Sequence, residues 1–130
     1  MFENVKQHSY DFGEGEIHFR STWEINYAFY LEWQKKRGEI LEWEYEPERY
    51  DFIGYNSEGK PFVVGPSYLP DFRVTYPDFK KRLKEIKGYK QGLLKIKRMK
   101  KYHPEIPVDV IDKDEYNTLK RQMGKILNFY

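Results

Sequence analysis

The run Leu41-Glu42-Trp43-Glu44-Tyr45-Glu46 alternates apolar and acidic residues through its whole length. Successive side chains of an extended chain point to opposite faces, so Leu41, Trp43 and Tyr45 fall on one side and three glutamates on the other. Such a segment reads as a half-buried strand, and a half-buried strand needs an element packed on its apolar face. Ser21-Thr22-Trp23-Glu24 reads as a capping box, with Ser21 as N-cap and Glu24 at N3, opening a helix that Gly38 closes. Trp23, Tyr27, Tyr30, Leu31 and Gln34 share one helical face, while Ile25, Phe29 and Trp33 lie off it. The helix is therefore expected to be covered on two sides or partly used for association.

The same reasoning extends downstream. Arg49 to Ile53 and Pro61 to Val64 read as a hairpin around the turn Asn56-Ser57-Glu58-Gly59. A strand holding Asp71 runs to Val74 or Thr75, and another spans Arg82 to Lys87, with Gly88 allowing a sharp exit. A basic helix from Gln91 to Tyr102 stops before Pro104. Val108 to Ile111 makes a short strand, and Asp112 or Asp114 caps a last helix ending near Met123. This order predicts an α/β or α+β domain, a central mixed β-sheet flanked by helices. Residues 1–18 read as an N-terminal arm, an edge strand or a segment exchanged between protomers, 19–123 as the domain proper and 124–130 as a tail that frays.

At 130 residues the chain fits one domain. Aromatic residues make up 18% of it and supply core area that small domains otherwise lack. Cysteine is absent, which removes disulfides and thiolate metal sites together, so a metal must be held through oxygen or imidazole. His8, His18 and His103 show no ligand spacing, with His18 a minor candidate. The first residues lack a basic region followed by an apolar stretch, and no apolar run approaches the roughly 18 residues of a membrane span. A soluble, cytoplasmic protein without membrane contact is expected.

Charge is distributed unevenly. Residues 1–60 hold 13 acidic and 7 basic side chains, whereas residues 61–130 hold 8 acidic and 16 basic. Between Lys80 and Lys101, eleven lysines and arginines face the single acid Glu85. A solvated helix face is the ordinary explanation of a charge run. This one, however, follows directly on the segment that carries the candidate chemistry, which favours a polyanion as partner.

That chemistry is carried by Asp71 and the triplet Glu85-Ile86-Lys87. On a strand Glu85 and Lys87 share a face and Ile86 is free to enter a core. A neighbouring strand bringing Asp71 alongside would pair two carboxylates, hard oxygen ligands suited to one or two Mg²⁺ or Mn²⁺ ions. The Lys87 ammonium would then stand within reach of a bound water or a phosphate. Taken singly, Asp71 is a turn residue after proline, Glu85 a surface acid among bases, and Glu24 the ordinary N3 partner of Ser21. Brought together, Asp71 and Glu85 would form an acid pair that is costly until a cation fills it.

Four ordered blocks, Phe19-Arg20-Ser21-Thr22-Trp23-Glu24, Trp43-Glu44-Tyr45-Glu46, Tyr68-Leu69-Pro70-Asp71-Phe72 and Glu85-Ile86-Lys87-Gly88, resemble the phage-type PD-(D/E)xK nucleases. The likeness is to the junction-resolving endonuclease I family and more loosely to the cutting subunit of some transposons. It covers roughly residues 19–119. It implies a restriction-endonuclease-like fold and an endonuclease that hydrolyses DNA to 5′-phosphate and 3′-hydroxyl ends. It also implies metal ligation by Asp71, Glu85, Glu24 and the carbonyl of Ile86, with Lys87 helping to orient or activate water. A phage origin, action on branched DNA such as a Holliday junction, and a homodimer follow from the same likeness. The strand through which the resolvase protomers exchange segments has no clear counterpart, and its basic tail is missing. Junction, flap, duplex and single strand therefore stay open as substrates, as do a nicking enzyme and a catalytically silent DNA-binding or assembly subunit.

DNA contacts are expected from Arg20, Lys84, Lys90, Lys95, Lys97, Arg98 and Lys101, with Lys100 beside them. Arg20 could equally pair with an acid. The prevalence of lysine over arginine points to the phosphate backbone rather than to base edges.

Overall fold

The computed structural model describes residues 8–86 and 90–130, the side chains of 90–92 excepted; Lys87 and Gly88 lie outside the described residues. In chain order the elements are β1 (Ser9–Asp11), β2 (Glu16–His18), α1 (Thr22–Lys36), β3 (Glu42–Tyr45), β4 (Ile53–Tyr55), β5 (Pro61–Val63), β6 (Phe72–Thr75), β7 (Lys81–Ile86), α2 (Lys90–Tyr102), β8 (Val108–Ile111) and α3 (Lys113–Met123).

A four-stranded sheet of order β3-β6-β7-β8 forms the centre, antiparallel except for the parallel pair β7 and β8. A parallel neighbour needs a crossover, and α2 supplies it. The domain is α+β with a mixed central sheet and flanking helices.

Alternation along the strands separates two cores. Trp43, Phe72, Val74, Ile86 and Ile111 meet Ile25, Ala28 and Leu31 of α1 and Tyr116 of α3. On the other face Leu83 packs with Met99 of α2 and with Tyr50, Phe52 and Tyr68. Phe72 is fully buried in the first core, so truncating it to alanine would cost about 3 to 5 kcal/mol.

The Ser21 cap is present: Ser21 Oγ accepts from the Glu24 amide at 3.2 Å. The helix it opens is covered on its second side by the β1-β2 hairpin, whose Tyr10 and Phe12 meet Phe29. The segment read as an arm or edge strand thus folds on itself over residues 8–18. Asp11 shapes its turn by accepting from the amides of Gly13 and Gly15. Leu41, expected inward with Trp43, is 42% exposed because it precedes the paired strand. The second hairpin pairs Ile53–Tyr55 with Pro61–Val63, beginning later than the Arg49 expected; Tyr50 bridges instead to Tyr68.

The C-terminal residues, expected to fray, return to α1. Buried Asn26 donates to the Tyr116 hydroxyl at 2.8 Å and to the Tyr130 carbonyl at 3.3 Å, and accepts from the Tyr130 amide at 2.9 Å. Among the described residues no helix is long and apolar enough to cross a membrane.

Candidate active site

Asp71 sits just before β6, held by its neighbours on both sides. Its carbonyl accepts from the Glu46 amide at 2.8 Å, and its Oδ2 accepts from the Ile86 amide at 2.7 Å. The pairing of Phe72 with Lys84 sets Asp71 beside Glu85 at the end of the β6-β7 ladder. Two strands that the sequence separates by a turn therefore bring the two carboxylates together. Ile86 enters the first core while Glu85 points to the other face, as the alternation requires.

Burial pushes the Asp71 carboxyl up to about 8, with further contributions from the charges of Glu85 and Glu24 and a smaller one from Glu46; the Ile86 amide opposes them. Glu85 is also raised, chiefly by burial and then by Glu24. The Tyr68 hydroxyl, the Asp71 amide and the Lys95 ammonium pull it the other way. Asp71 thus feels three other carboxylates, and Glu85 feels Glu24, in a site partly withdrawn from water where neighbouring negative charge disfavours ionisation.

Each acid has a donor of its own. The Tyr68 hydroxyl donates to Glu85 Oε1 at 2.6 Å and the Tyr45 hydroxyl to Glu24 Oε1 at 2.5 Å. Burial and these glutamates raise both tyrosines, which keeps them protonated as donors. Glu24 therefore does more than its capping position demands: its amide completes the Ser21 cap, while its carboxylate turns to Tyr45. Tyr45 in turn accepts from the Arg20 amide at 3.0 Å, tying the start of α1 to β3.

Hard carboxylate oxygens, half-buried and set among like charges, are the donor chemistry that a small divalent cation neutralises. The residues fit such a group in kind. Among the described residues no group of three His, Cys, Asp or Glu side chains is placed to hold a metal ion. The hydrogen bonds from Tyr68, Tyr45 and the Ile86 amide account for where the individual carboxylates rest. Ile86, expected to contribute its carbonyl, is tied to Asp71 through its amide.

The basic residues divide by location. Lys95 is half-buried on α2, one turn before Met99, which packs in the same core as Tyr68, and its charge is felt at Glu85. Lys97, Lys100 and Lys101 are exposed, with Lys101 5.3 Å from the Tyr102 ring centre. The Arg98 guanidinium lies against Gly65, where a Cβ would meet its Nη1 at 2.6 Å. Arg20 pairs with Glu46 at 2.7 Å and is largely exposed. Lys84 points to the sheet face opposite Glu85, 12% exposed and 2.8 Å from Asp109, so it stands apart from the others. The Lys90 side chain, like Lys87, lies outside the described residues.

Residues that sequence reasoning did not single out complete the picture: Tyr45, Tyr68 and Glu46. All three lie inside the quoted blocks. Glu46 adopts a left-handed backbone at φ 45°, uncommon for a non-glycine residue. The histidines lie elsewhere in the hydrogen-bond pattern: His8 Nε2 is 3.0 Å from Thr22 Oγ1, His18 Nδ1 2.9 Å from Ser9 Oγ, and His103 Nε2 2.6 Å from the Asp51 carbonyl.

Fold and site together define an α+β domain with a coupled carboxylate cluster at one end of a mixed sheet. The family model described as "Protein of unknown function (DUF1064)" matches residues 8–125, and the chain belongs to that family. No curated protein and no solved structure matches the chain.

Proposed function

We propose that this domain is a divalent-metal-dependent DNA endonuclease. The observation that carries the reading is Asp71, held against Glu85 by the strand ladder and pushed up to about 8 by burial and by its acidic neighbours. An acid cluster of that kind costs stability and is best explained by a cation that it serves. Asp71, Glu85 and Glu24 would hold Mg²⁺ or Mn²⁺. The metal, when bound, would supply a polarised phosphate and a water of lowered pKa.

The protein's own part is to align the substrate and manage protons. Water attacks phosphorus, the bond from phosphorus to the 3′ oxygen breaks, and that oxygen leaves with a proton as the 3′-hydroxyl while the 5′-phosphate keeps the new oxygen. Lys87 follows Glu85 by two positions on the same strand pattern and is our choice for the cation that orients the attacking water. The basic residues of α2 suit a phosphate backbone, and the lysine-rich set favours contacts indifferent to base identity.

A restriction-endonuclease-like fold, a phage origin, a cytoplasmic setting, a homodimer and a preference for branched DNA extend the proposal through the likeness of the four sequence blocks to phage nucleases. The order of helix, antiparallel strands, crossover helix and strand is compatible with that fold.

The test is cleavage of end-labelled four-way junction, flap, duplex and single-stranded DNA with Mg²⁺ or Mn²⁺, by the wild type, Asp71→Asn and Lys87→Ala. Cutting by the wild type alone supports the reading, and the preferred substrate refines it. DNA binding without cutting in any lane would replace it with a binding or assembly subunit.

A further inference from the structure

The turn joining β6 and β7 holds an aromatic side chain that the fold does not use. Phe79 is 77% exposed and lies in neither core. Among the described residues its ring meets no aromatic or cationic partner. Its backbone is left-handed at φ 67°, closed by the Phe79 amide on the Tyr76 carbonyl at 2.8 Å and the Tyr76 amide on the Lys80 carbonyl at 2.9 Å. Glycine takes that conformation freely, whereas a phenylalanine there is strained. Strain together with an apolar ring in water is the pattern of a residue kept for contact.

Its surroundings say with what. Lys80 and Lys81 follow it and are both exposed. Lys80, Lys81 and Arg82 line a cleft that also includes Asp78, with Glu105 and Pro107 from just beyond α2. Because β7 and β8 are parallel, α2 must run back along the sheet, so its last turn returns toward the end where β7 begins. Exposed Lys97, Lys100 and Lys101 therefore lead from the carboxylate end of the sheet toward Phe79. Lys81 and Glu85 lie four residues apart on β7, about 13 Å at about 3.3 Å per residue. That is about four base steps of duplex rise.

We propose that the β6-β7 turn is a second DNA contact, in which Phe79 stacks on an unpaired base while Lys80 and Lys81 hold the adjoining phosphates. The inference rests on DNA being the substrate and narrows it to DNA with unpaired bases near the cut. Aromatic stacking suits this role because every base offers a face and no sequence is read.

The test is fluorescence anisotropy of a labelled single strand and of a blunt duplex, in EDTA so that no cutting is needed, with the wild type, Phe79→Gly and Phe79→Trp. Phe79→Gly should weaken binding of the single strand about ten-fold and leave duplex binding within about two-fold, the size expected for one stacked base. Its melting temperature should be unchanged or higher, since glycine relieves the turn, and Phe79→Trp should retain affinity. Unchanged single-strand binding by Phe79→Gly, an equal loss on both DNA forms, or a fall in melting temperature would overturn the proposal. Wild-type cleavage with Mg²⁺, run in parallel, separates the two ideas. Phe79-dependent binding without cleavage defeats only the nuclease reading, and cleavage with no role for Phe79 defeats only this one.

Discussion

The hydroxyl of Tyr68 donates to Glu85 at 2.6 Å, so a residue from the Pro70-Asp71 segment holds the second carboxylate of the cluster as well as bordering the first. Removing that hydroxyl should be felt twice. Tyr68→Phe leaves a half-buried carboxylate short of a donor, at a cost of about 1 to 2 kcal/mol in the metal-free protein. It also lets Glu85 rise further, so protons compete better with metal. Urea unfolding and calorimetric titration with Mn²⁺ should show lower stability and weaker binding at pH 6, the binding defect shrinking as pH rises.

Asp71 predicts an inverse relation between stability and function. Its folded value, about 8, lies above the ordinary 3.8, so the folded state binds more protons than the unfolded one between those limits. Stability of the metal-free protein should therefore fall as pH climbs from about 4 toward 8. Asp71→Asn keeps an acceptor for the Ile86 amide and removes the charge. It should raise the melting temperature at pH 8 by at least about 4 °C while abolishing cleavage. Thermal unfolding across this pH range checks both the slope and its loss in the variant.

Asp109 predicts the opposite pH behaviour on the far face of the sheet. Held at 2.6 to 2.8 Å by Arg82 and Lys84, it is lowered to about 2. Its contribution is present above about 4 and lost as pH falls through about 2. Asp109→Asn should cost about 1 to 2 kcal/mol at neutral pH, toward the lower end because the pair with Arg82 keeps solvent. The cost should vanish near pH 2, which acid unfolding of the two proteins would reveal.

Two lysines of α2 should separate by readout. Lys97 is exposed, so Lys97→Ala should lower the salt slope of DNA binding by about 0.9 and leave turnover unchanged. Lys95 is felt at Glu85, so Lys95→Ala should shift the acid limb of the cleavage rate to higher pH. Equal effects of the two variants on both measurements would contradict this division.

Local chemistry made much of the fold readable. Ser21 caps α1, Trp43 turns inward while Glu42 does not, and the strand Val108–Ile111 has the bounds its apolar pattern suggests. That Asp71 and Glu85 would be neighbours was conditional on adjacent strands, and the β6-β7 ladder meets that condition. What escaped depends on distant partners. Nothing in the pattern around Tyr45 announces that its hydroxyl reaches Glu24, or that Tyr130 closes on Asn26. Lys84 is a different lesson: the alternation that turns Glu85 one way turns its neighbour the other, yet the basic run around it drew attention to charge instead of face. The 1–18 segment was ambiguous because the two glycines of its turn suit a loose arm as well as the Asp11-centred hairpin that forms.

β7 contributes Leu83 to one core and Ile86 to the other, with Glu85 between them. Neither core can loosen without disturbing the strand that carries the acid, so amide exchange along β7 should proceed only through global unfolding. Repulsion among the carboxylates then has no outlet through local unfolding: while the strand holds, the cluster relieves it by keeping a proton on Asp71, whose carboxyl is pushed up to about 8.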